Sequence, residues 1–456
     1  MDFGKCSKSA KEDCSCCPLL KTTMEMKIDI LSTQPIKPSS PTPNHLRSFK
    51  ISLLDQLAPP FYVPVILLFS ADDFDCEAVD HVTICDLLKR SLSQTLSRFY
   101  PLAGKLKGND SVDCSDDGAV FMEARANVEL SEILRDPEID LLQKLLPCEP
   151  YSVGSESSDR AITAIQATIF ECGGIGIGVC MSHKVADGAT LATFLTAWSA
   201  TAMGTDDGIT PFLDSASLFP PRDINTVLSS GVISHGKTLT RRFLFDAASL
   251  ARLQSKASNS TRVEAVTSLI WKSAMDVARE KSGKDTISSI VTHVVNLRGK
   301  TEPPLSDRSL GNLWQQAVAT VTEQEGKVEL DDLVGRLRRA IKKVDKEYVK
   351  EIQGEEGLSK ACGAMKEVQK MIMSKGEMEL YRFSSWSRFP FYETDFGFGR
   401  PIWVCTITAP IKNVIILMDT KSGGGIEAWV TMVEEDMTKF QRHYELLEFV
   451  SSTQSA

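Results

Sequence analysis

Near the middle of the chain, from about Thr205 to Lys237, the run TDDGITPFLDSASLFPPRDINTVLSSGVISHG is rich in Gly, Pro, Ser and Asp and shows no sustained hydrophobic period. On either side of it, strand-like and helix-like patterns alternate. A stretch of this length without a period reads as a crossover connection. The two flanking halves must then each bury their own apolar faces. A length of 456 residues agrees, since length alone points to two or three domains. The expected organisation is a disordered tail over 1–26, a first domain over 27–204, a crossover loop over 205–237 and a second domain over 238–456. A late segment of the second domain is left open to pair back with the first.

Within the first half, MKIDILSTQ reads as a strand, and PIKPSSPTP must run extended because its prolines exclude helix. PVILLFS is a buried strand. Thr83 to Ser97 is an amphipathic helix with Leu87, Leu88, Leu92 and Leu96 inward, and FYPLAGKL is a Pro turn entering a strand. VDCSDDGAVFMEA is expected to be a hairpin turning at Asp117-Gly118. ITAIQATIFE and IGIGVCMS form another, closed by Cys172-Gly173-Gly174. In the second half RRFLFD is a strand whose Asp246 caps the next helix. Thr261-Arg262-Val263-Glu264 has capping-box spacing before a helix through Leu269, Trp271 and Met275. DTISSIVTHVVNLR is a strand, and a basic helix is expected from about Leu330 to Ile352 with a solvated charged face. VIILMDTKSGGGIEAWVTM is a late hairpin. Its glycines lack the Lys-Ser/Thr and following helix of a phosphate loop. Interleaved helices with frequent hairpins argue for an α/β fold with mixed sheets.

Composition excludes several classes. Net charge is −9, which gives no basic footprint for general nucleic-acid binding. The apolar run Val63 to Phe69 is far short of the roughly 18 residues that a membrane span needs. Met1 to Leu20 carries Lys, Glu, Asp and Cys without an apolar centre, unlike a signal peptide. The expectation is a cytoplasmic protein whose twelve Cys are mostly reduced. Cys6, Cys14, Cys16 and Cys17 lie in the polar opening stretch with spacing unlike a metal clip, so no metal site is expected.

The motif with chemical content is MSHKVADGAT. His183 follows the strand Ile175–Ser182, and Leu191, Phe194, Leu195 and Trp198 mark one face of the helix after it. A side chain at such a junction is aimed by a rigid scaffold. Of six His, only His183 has an Asp four residues on, Asp187. Spacing alone leaves open a partly buried His that hydrogen-bonds a neighbour. Cys180, upstream on the strand, reads as core.

A second element, Asp395-Phe396-Gly397-Phe398-Gly399 with Arg400-Pro401, lies far downstream. HKVADG in mid-chain with DFGFG near the C-terminus resembles the BAHD acyltransferase family of plants. Tyr100-Pro101-Leu102-Ala103-Gly104, Thr261-Arg262-Val263-Glu264 with Trp271-Lys272, Asn296-Leu297-Arg298 and Gly311-Asn312 agree with it in order and spacing, and the resemblance runs from Lys27 onward. KPSSPTP, LLDQLAPPFYVPV and SSWSRFPFYETDFGFGRP look most like the branch holding vinorine synthase and fruit alcohol acyltransferases. One departure is Phe398, where the family motif usually has Trp. The swap keeps an aromatic and loses an indole N–H.

The resemblance implies two similar-sized domains, each a mixed β-sheet with flanking helices (chloramphenicol acetyltransferase-like), with a channel at their interface. It implies transfer of an acyl group, foremost acetyl, from acyl-CoA as co-substrate to a small-molecule acceptor alcohol by a monomer without a permanently bound cofactor. His183 would be the general base. Asp187 would pair with Arg298 and hold the turn, with direct polarisation of His183 as the alternative. Gly188 would permit a close approach. Trp386 and Ser384 are candidate oxyanion donors, or else core packing. Thr261 and Arg262 open a helix where a coenzyme phosphate could sit, or Arg262 is a solvated surface residue. The DFGFG residues are expected to be structural. Two competing readings are a non-catalytic family relative that binds ligands, and a carrier-dependent condensation domain, which also uses a His-x-x-x-Asp run.

Overall fold

Every residue of Tyr62–Phe69 and of Ile175–Ser182 is buried. Unbroken apolar runs require this, since they have no face to give to water. The two runs pair antiparallel, Tyr62 opposite Ser182. The computed structural model describes residues 25–451 apart from 74–80, 136, 153–159, 206–207, 225–236, 258–259 and 376–377. Cys6, Cys14, Cys16 and Cys17 and part of the crossover stretch therefore lie outside the described residues.

The strands of the first half are β1 (Ile28–Ile36), β2 (Ser48–Lys50), β3 (Tyr62–Phe69), β4 (Lys105–Lys107), β5 (Ser111–Asp113), β6 (Ala119–Ala126), β7 (Thr163–Ile169) and β8 (Ile175–Ser182). Those of the second are β9 (Thr238–Phe245), β10 (Ser288–Asn296), β11 (Trp314–Val321), β12 (Met378–Ser385), β13 (Trp403–Cys405), β14 (Val414–Asp419) and β15 (Ile426–Val433). One six-stranded sheet runs β1-β6-β7-β8-β3-β13 and the other β11-β10-β12-β14-β15-β9, with a small sheet β2-β5-β4 beside the first. Both large sheets are mixed: β6–β7 is parallel in the first, and β10–β12 and β12–β14 are parallel in the second. Each sheet has its own buried apolar cluster.

In the first lobe, helices His81–Arg98 and Gly188–Ala202 pack together, and the buried Trp198 indole donates to Ser91 Oγ at 3.0 Å. In the second, helix Arg262–Ser282 is tied to β10 by Trp271, whose Nε1 donates to Ser289 Oγ at 2.9 Å. β13 belongs to the second half of the sequence but pairs with β3, Trp403 opposite Leu68. Its Trp403 Nε1 reaches Glu427 on β15 at 3.2 Å, and Arg242 on β9 lies 3.3 Å from the same carboxylate. Burial pushes the Glu427 pKa up against the pull of Arg242. This three-membered knot ties one sheet to the other.

Two sequence expectations are corrected. VDCSDDGAVFMEA is not a hairpin: β5 pairs with β2 and β4, while β6 pairs with β1 and β7. Gly118 lies at φ +98°, and a Cβ there would meet Ile36 O at 2.7 Å, so the turn is docked onto the end of β1 and feeds a different sheet. The basic helix is two helices, Leu330–Lys342 and Lys346–Gln353. Asp345 separates them, because its side chain accepts from Tyr348 N at 2.9 Å and starts a new helix.

Candidate active site

β8 ends at Ser182, and the His183 backbone N–H donates to Phe61 O at 2.8 Å, which holds the first residue beyond the strand against the segment entering β3. Asp187 then caps the helix Gly188–Ala202, accepting from Thr190 N at 2.8 Å. Between these two fixed points the backbone has little freedom, and the imidazole is aimed toward the second lobe. Its ring stands edge-on to Phe61 at 5.5 Å and tilted toward Trp314 at 6.1 Å. Phe61 comes from the first half of the chain and Trp314 from the second, so His183 lies at the seam.

The Asn312 side chain settles which imidazole nitrogen carries the proton. Asn312 Oδ1 lies 3.1 Å from Trp314 Nε1, which can only donate. The same Oδ1 is 2.8 Å from His183 Nδ1. Nδ1 therefore carries the hydrogen, and Nε2 keeps the lone pair. No hydrogen bond occupies Nε2 among the described residues. The side chain is only half-buried. Desolvation nevertheless holds its pKa below the usual histidine value, opposed by Asp187 and by the Asn312 contact. The ring is neutral at neutral pH and presents a free basic nitrogen.

The Asp187 carboxylate makes no hydrogen bond to the imidazole. Its carboxylate receives Arg298 Nη1 at 2.8 Å and Nη2 at 3.0 Å, Thr190 N, and Leu313 N at 3.2 Å. Arg298, almost wholly buried, also donates to Ser309 O at 2.8 Å and Gly311 O at 3.2 Å. Burial alone would raise the Asp187 pKa, but Arg298 and the N–H donors hold it below the ordinary carboxylate range. The pair thus fastens the segment 309–313 to the helix after His183. Gly311, at φ +126°, lets that segment turn tightly between Ser215 and Asp55. Asn312 follows it directly.

At Gly188 the close neighbours are aromatic side chains, where the expectation was backbone or substrate. A Cβ there would meet Phe389 Cε2 at 2.9 Å and Trp386 Nε1 at 3.6 Å. The indole N–H of Trp386 thus lies beside the start of the helix that follows His183. Ser384 is half-buried near the end of β12, two residues before Trp386. The DFGFG segment sits elsewhere. Phe396 is fully buried with its ring 4.7 Å from Trp198, and Phe398 lies 5.0 Å from Phe69. Asp395 Oδ1 accepts from Gly397 N at 2.8 Å, and Gly397 and Gly399 take positive φ. Trp198 lies about 16 Å along its helix from Asp187, at 1.5 Å per residue. Phe398 also stacks on Phe396, the ring centroids 5.8 Å apart.

Thr261 forms the capping box, with Glu264 N donating to its hydroxyl at 3.2 Å and Glu264 Oε2 accepting from Thr261 N at 2.9 Å. Arg262 is partly exposed and engaged within the chain. It donates to Gly423 O at 2.8 Å and lies 3.2 Å from Asp419, bracing the β14–β15 hairpin. Among the described residues one metal-like cluster appears, away from the seam: His81, Cys85 and Glu123 bring ligand atoms within 4.8 Å of one another. There Glu123 already holds Lys89 at 3.1 Å and Ser32 at 3.0 Å. The residues that sequence reasoning left without a role are Asn312, Asp55, Phe61 and Trp314. Gly311-Asn312 was visible as a run, but its contact spans 129 positions.

A neutral imidazole poised at the seam of two mixed-sheet lobes is the arrangement of a two-lobed acyltransferase. A model of the Transferase family matches residues 26–447, and the chain belongs to this family, the BAHD acyltransferases. Stemmadenine O-acetyltransferase of Catharanthus roseus is 40% identical over 426 residues, covering 91% of this chain and 96% of the relative. A limonoid 7-O-acetyltransferase of Citrus sinensis is 39% identical over 452 residues, covering 92% and 98%. The crystal structure of vinorine synthase superposes with a TM-score of 0.82 at 37% identity, covering 94% of this chain and all of that one. The protein is thus an acyltransferase of plant specialised metabolism that draws on acyl-CoA. Among the described residues no helix is long and apolar enough to cross a membrane.

Proposed function

We propose that this enzyme moves an acetyl group from acetyl-CoA to a hydroxyl of an apolar specialised metabolite, with His183 as general base in a ternary complex. Thiol ester and alcohol would meet in a channel between the lobes, and the enzyme would act as a cytoplasmic monomer. His183 Nε2 takes the alcohol proton as the oxygen attacks the thioester carbonyl. The tetrahedral intermediate collapses, the C–S bond breaks, and the imidazolium returns the proton to the departing thiolate. No acyl-enzyme is needed, since holding both substrates together supplies proximity. Asp187 and Arg298 act through the backbone, by fixing the turn on one side of His183 and the Asn312 segment on the other. Trp386 Nε1 is the proposed donor to the oxyanion, with Ser384 as the second candidate.

The observation that carries this reading is the fixed tautomer of a half-buried His183, with Nδ1–H held by Asn312 and Nε2 unengaged. The relatives named for O-acetylation of stemmadenine and of a limonoid support acetyl as the group and a hydroxyl as the acceptor. The test is release of free thiol from acetyl-CoA with alkaloid, limonoid and volatile-alcohol acceptors, and product mass read in parallel. A product heavier than its acceptor by one acetyl group in place of one hydrogen supports the reading. Thiol release only with longer-chain or malonyl-CoA would move the donor. No release with any pair would favour a non-catalytic, ligand-binding relative.

A further inference from the structure

Asp55 lies in the short helix Leu53–Leu57, far from both motifs in the sequence, and is 1% exposed. Its Oδ2 accepts from Ser52 N at 2.8 Å and Ser52 Oγ at 2.6 Å, which is the ordinary work of a capping box. Its Oδ1 does something a cap does not require. It accepts from Asn312 N at 2.6 Å and Asn312 Nδ2 at 2.8 Å, across 257 positions of sequence. We propose that Asp55 is a positioning residue for the base: its carboxylate fixes and polarises the Asn312 amide that in turn holds His183 Nδ1–H. This deepens the function proposed above and rests on it.

The amide has no spare valence. Its two Nδ2 protons go to Asp55 and to His183 O at 2.6 Å, and its Oδ1 accepts from His183 and Trp314. Flipping it would turn NH₂ against the Trp314 N–H and oxygen against a carboxylate. Asp55 thus locks the amide in the one orientation that keeps Nε2 basic. A negative charge behind Nδ2 also pushes electron density toward Oδ1, which favours the imidazolium formed during proton transfer.

Other charges bear on this row. Lys184 donates to Gln56 O at 2.7 Å and Ala58 O at 3.1 Å, and burial brings its pKa down to about 8 against the pull of Asp55. Asp187 with Arg298 lies on the other side of His183, and Tyr151 stands behind Phe61 at 5.3 Å. Burial raises the Asp55 pKa on balance, opposed by the Ser52 and Asn312 donors, and it is these four N–H and O–H donors that favour the ionised carboxylate.

The test is Asp55→Asn in the full chain, with kcat, KM for acetyl-CoA and the acidic limb of kcat/KM followed against pH. Loss of the charge should lower kcat at least about tenfold, leave KM for acetyl-CoA within about twofold, and move the limb to lower pH. A rate loss equal at every pH with the limb unmoved would make Asp55 a brace only and overturn the proposal. So would wild-type kinetics. If the variant does not fold, ¹⁵N-histidine labelling of the wild type decides, the His183 signal being assigned by its loss in His183→Ala. A protonated Nδ1 with bare Nε2 supports the row, and the opposite tautomer overturns it. His183→Ala runs alongside: full activity there removes the base itself, whereas an inactive His183→Ala beside a normal Asp55→Asn removes only the part of Asp55.

Discussion

Replacing Asp187 by Ala separates a structural support from a catalytic partner. The carboxylate is buried and receives two Arg298 donors at 2.8 and 3.0 Å together with two backbone N–H groups. Truncation removes the helix cap and leaves a buried guanidinium without its counter-charge. Orphaning one member of a buried pair costs roughly 3–5 kcal/mol. At about 2–4 °C per kcal/mol for units of 150–250 residues, the melting temperature should fall by roughly 6–20 °C. Arg298→Met should also destabilise, and the double variant should lose less than the sum, because neither charge is then left alone. The sign with pH follows from the lowered Asp187 pKa. Its contribution is full above the unfolded value of about 3.9 and is lost as pH falls through the lower folded value. Differential scanning calorimetry of the four proteins, with kcat measured well below each transition, gives the comparison. An unchanged melting temperature beside a selective loss of rate would refute the reasoning, since a brace cannot vanish without thermal consequence.

The pH–rate profile tests the state of His183. Its pKa lies below the ordinary histidine value of about 6.5, so the base stays unprotonated to lower pH and the acidic limb of kcat/KM should fall below that value. A limb at or above it would contradict the desolvated, neutral ring. Phe396→Ala should cost about 3–5 kcal/mol, because a fully buried ring against Trp198 leaves a cavity. Thermal melting should show it, while the KM for acetyl-CoA of the protein that stays folded should be unchanged. A rise in that KM without destabilisation would move the segment from packing to coenzyme contact.

The elements most legible in the sequence were those whose determinants are local. The strand Ile175–Ser182, the caps at Asp246 and Thr261, and the β14–β15 hairpin all depend on neighbours within a few residues. The hairpin expected around Asp117-Gly118 failed because a turn signal does not say which sheet its two arms join. The long basic helix failed because Asp345, which starts a new helix by capping Tyr348, lies inside an otherwise continuous helical pattern. His183 and Asp187 were legible by spacing, and the partnership of Asp187 with Arg298 came from a family resemblance, not from periodicity. Asn312 and Asp55 could not be assigned from the chain, since each meets its partner more than a hundred positions away. Arg262 was open in sequence between a coenzyme phosphate and solvent, and only folding brings Asp419 and the Gly423 carbonyl to it.

The central claim is that the free Nε2 of His183 removes the acceptor's proton. Its most direct test is single-turnover acetyl transfer by wild type and by His183→Ala, at saturating acetyl-CoA and with the best acceptor from the thiol-release panel. The account predicts that the variant melts and binds acetyl-CoA as wild type does while the transfer step slows by about 10²–10⁴. Transfer at the wild-type rate in a folded variant would contradict it.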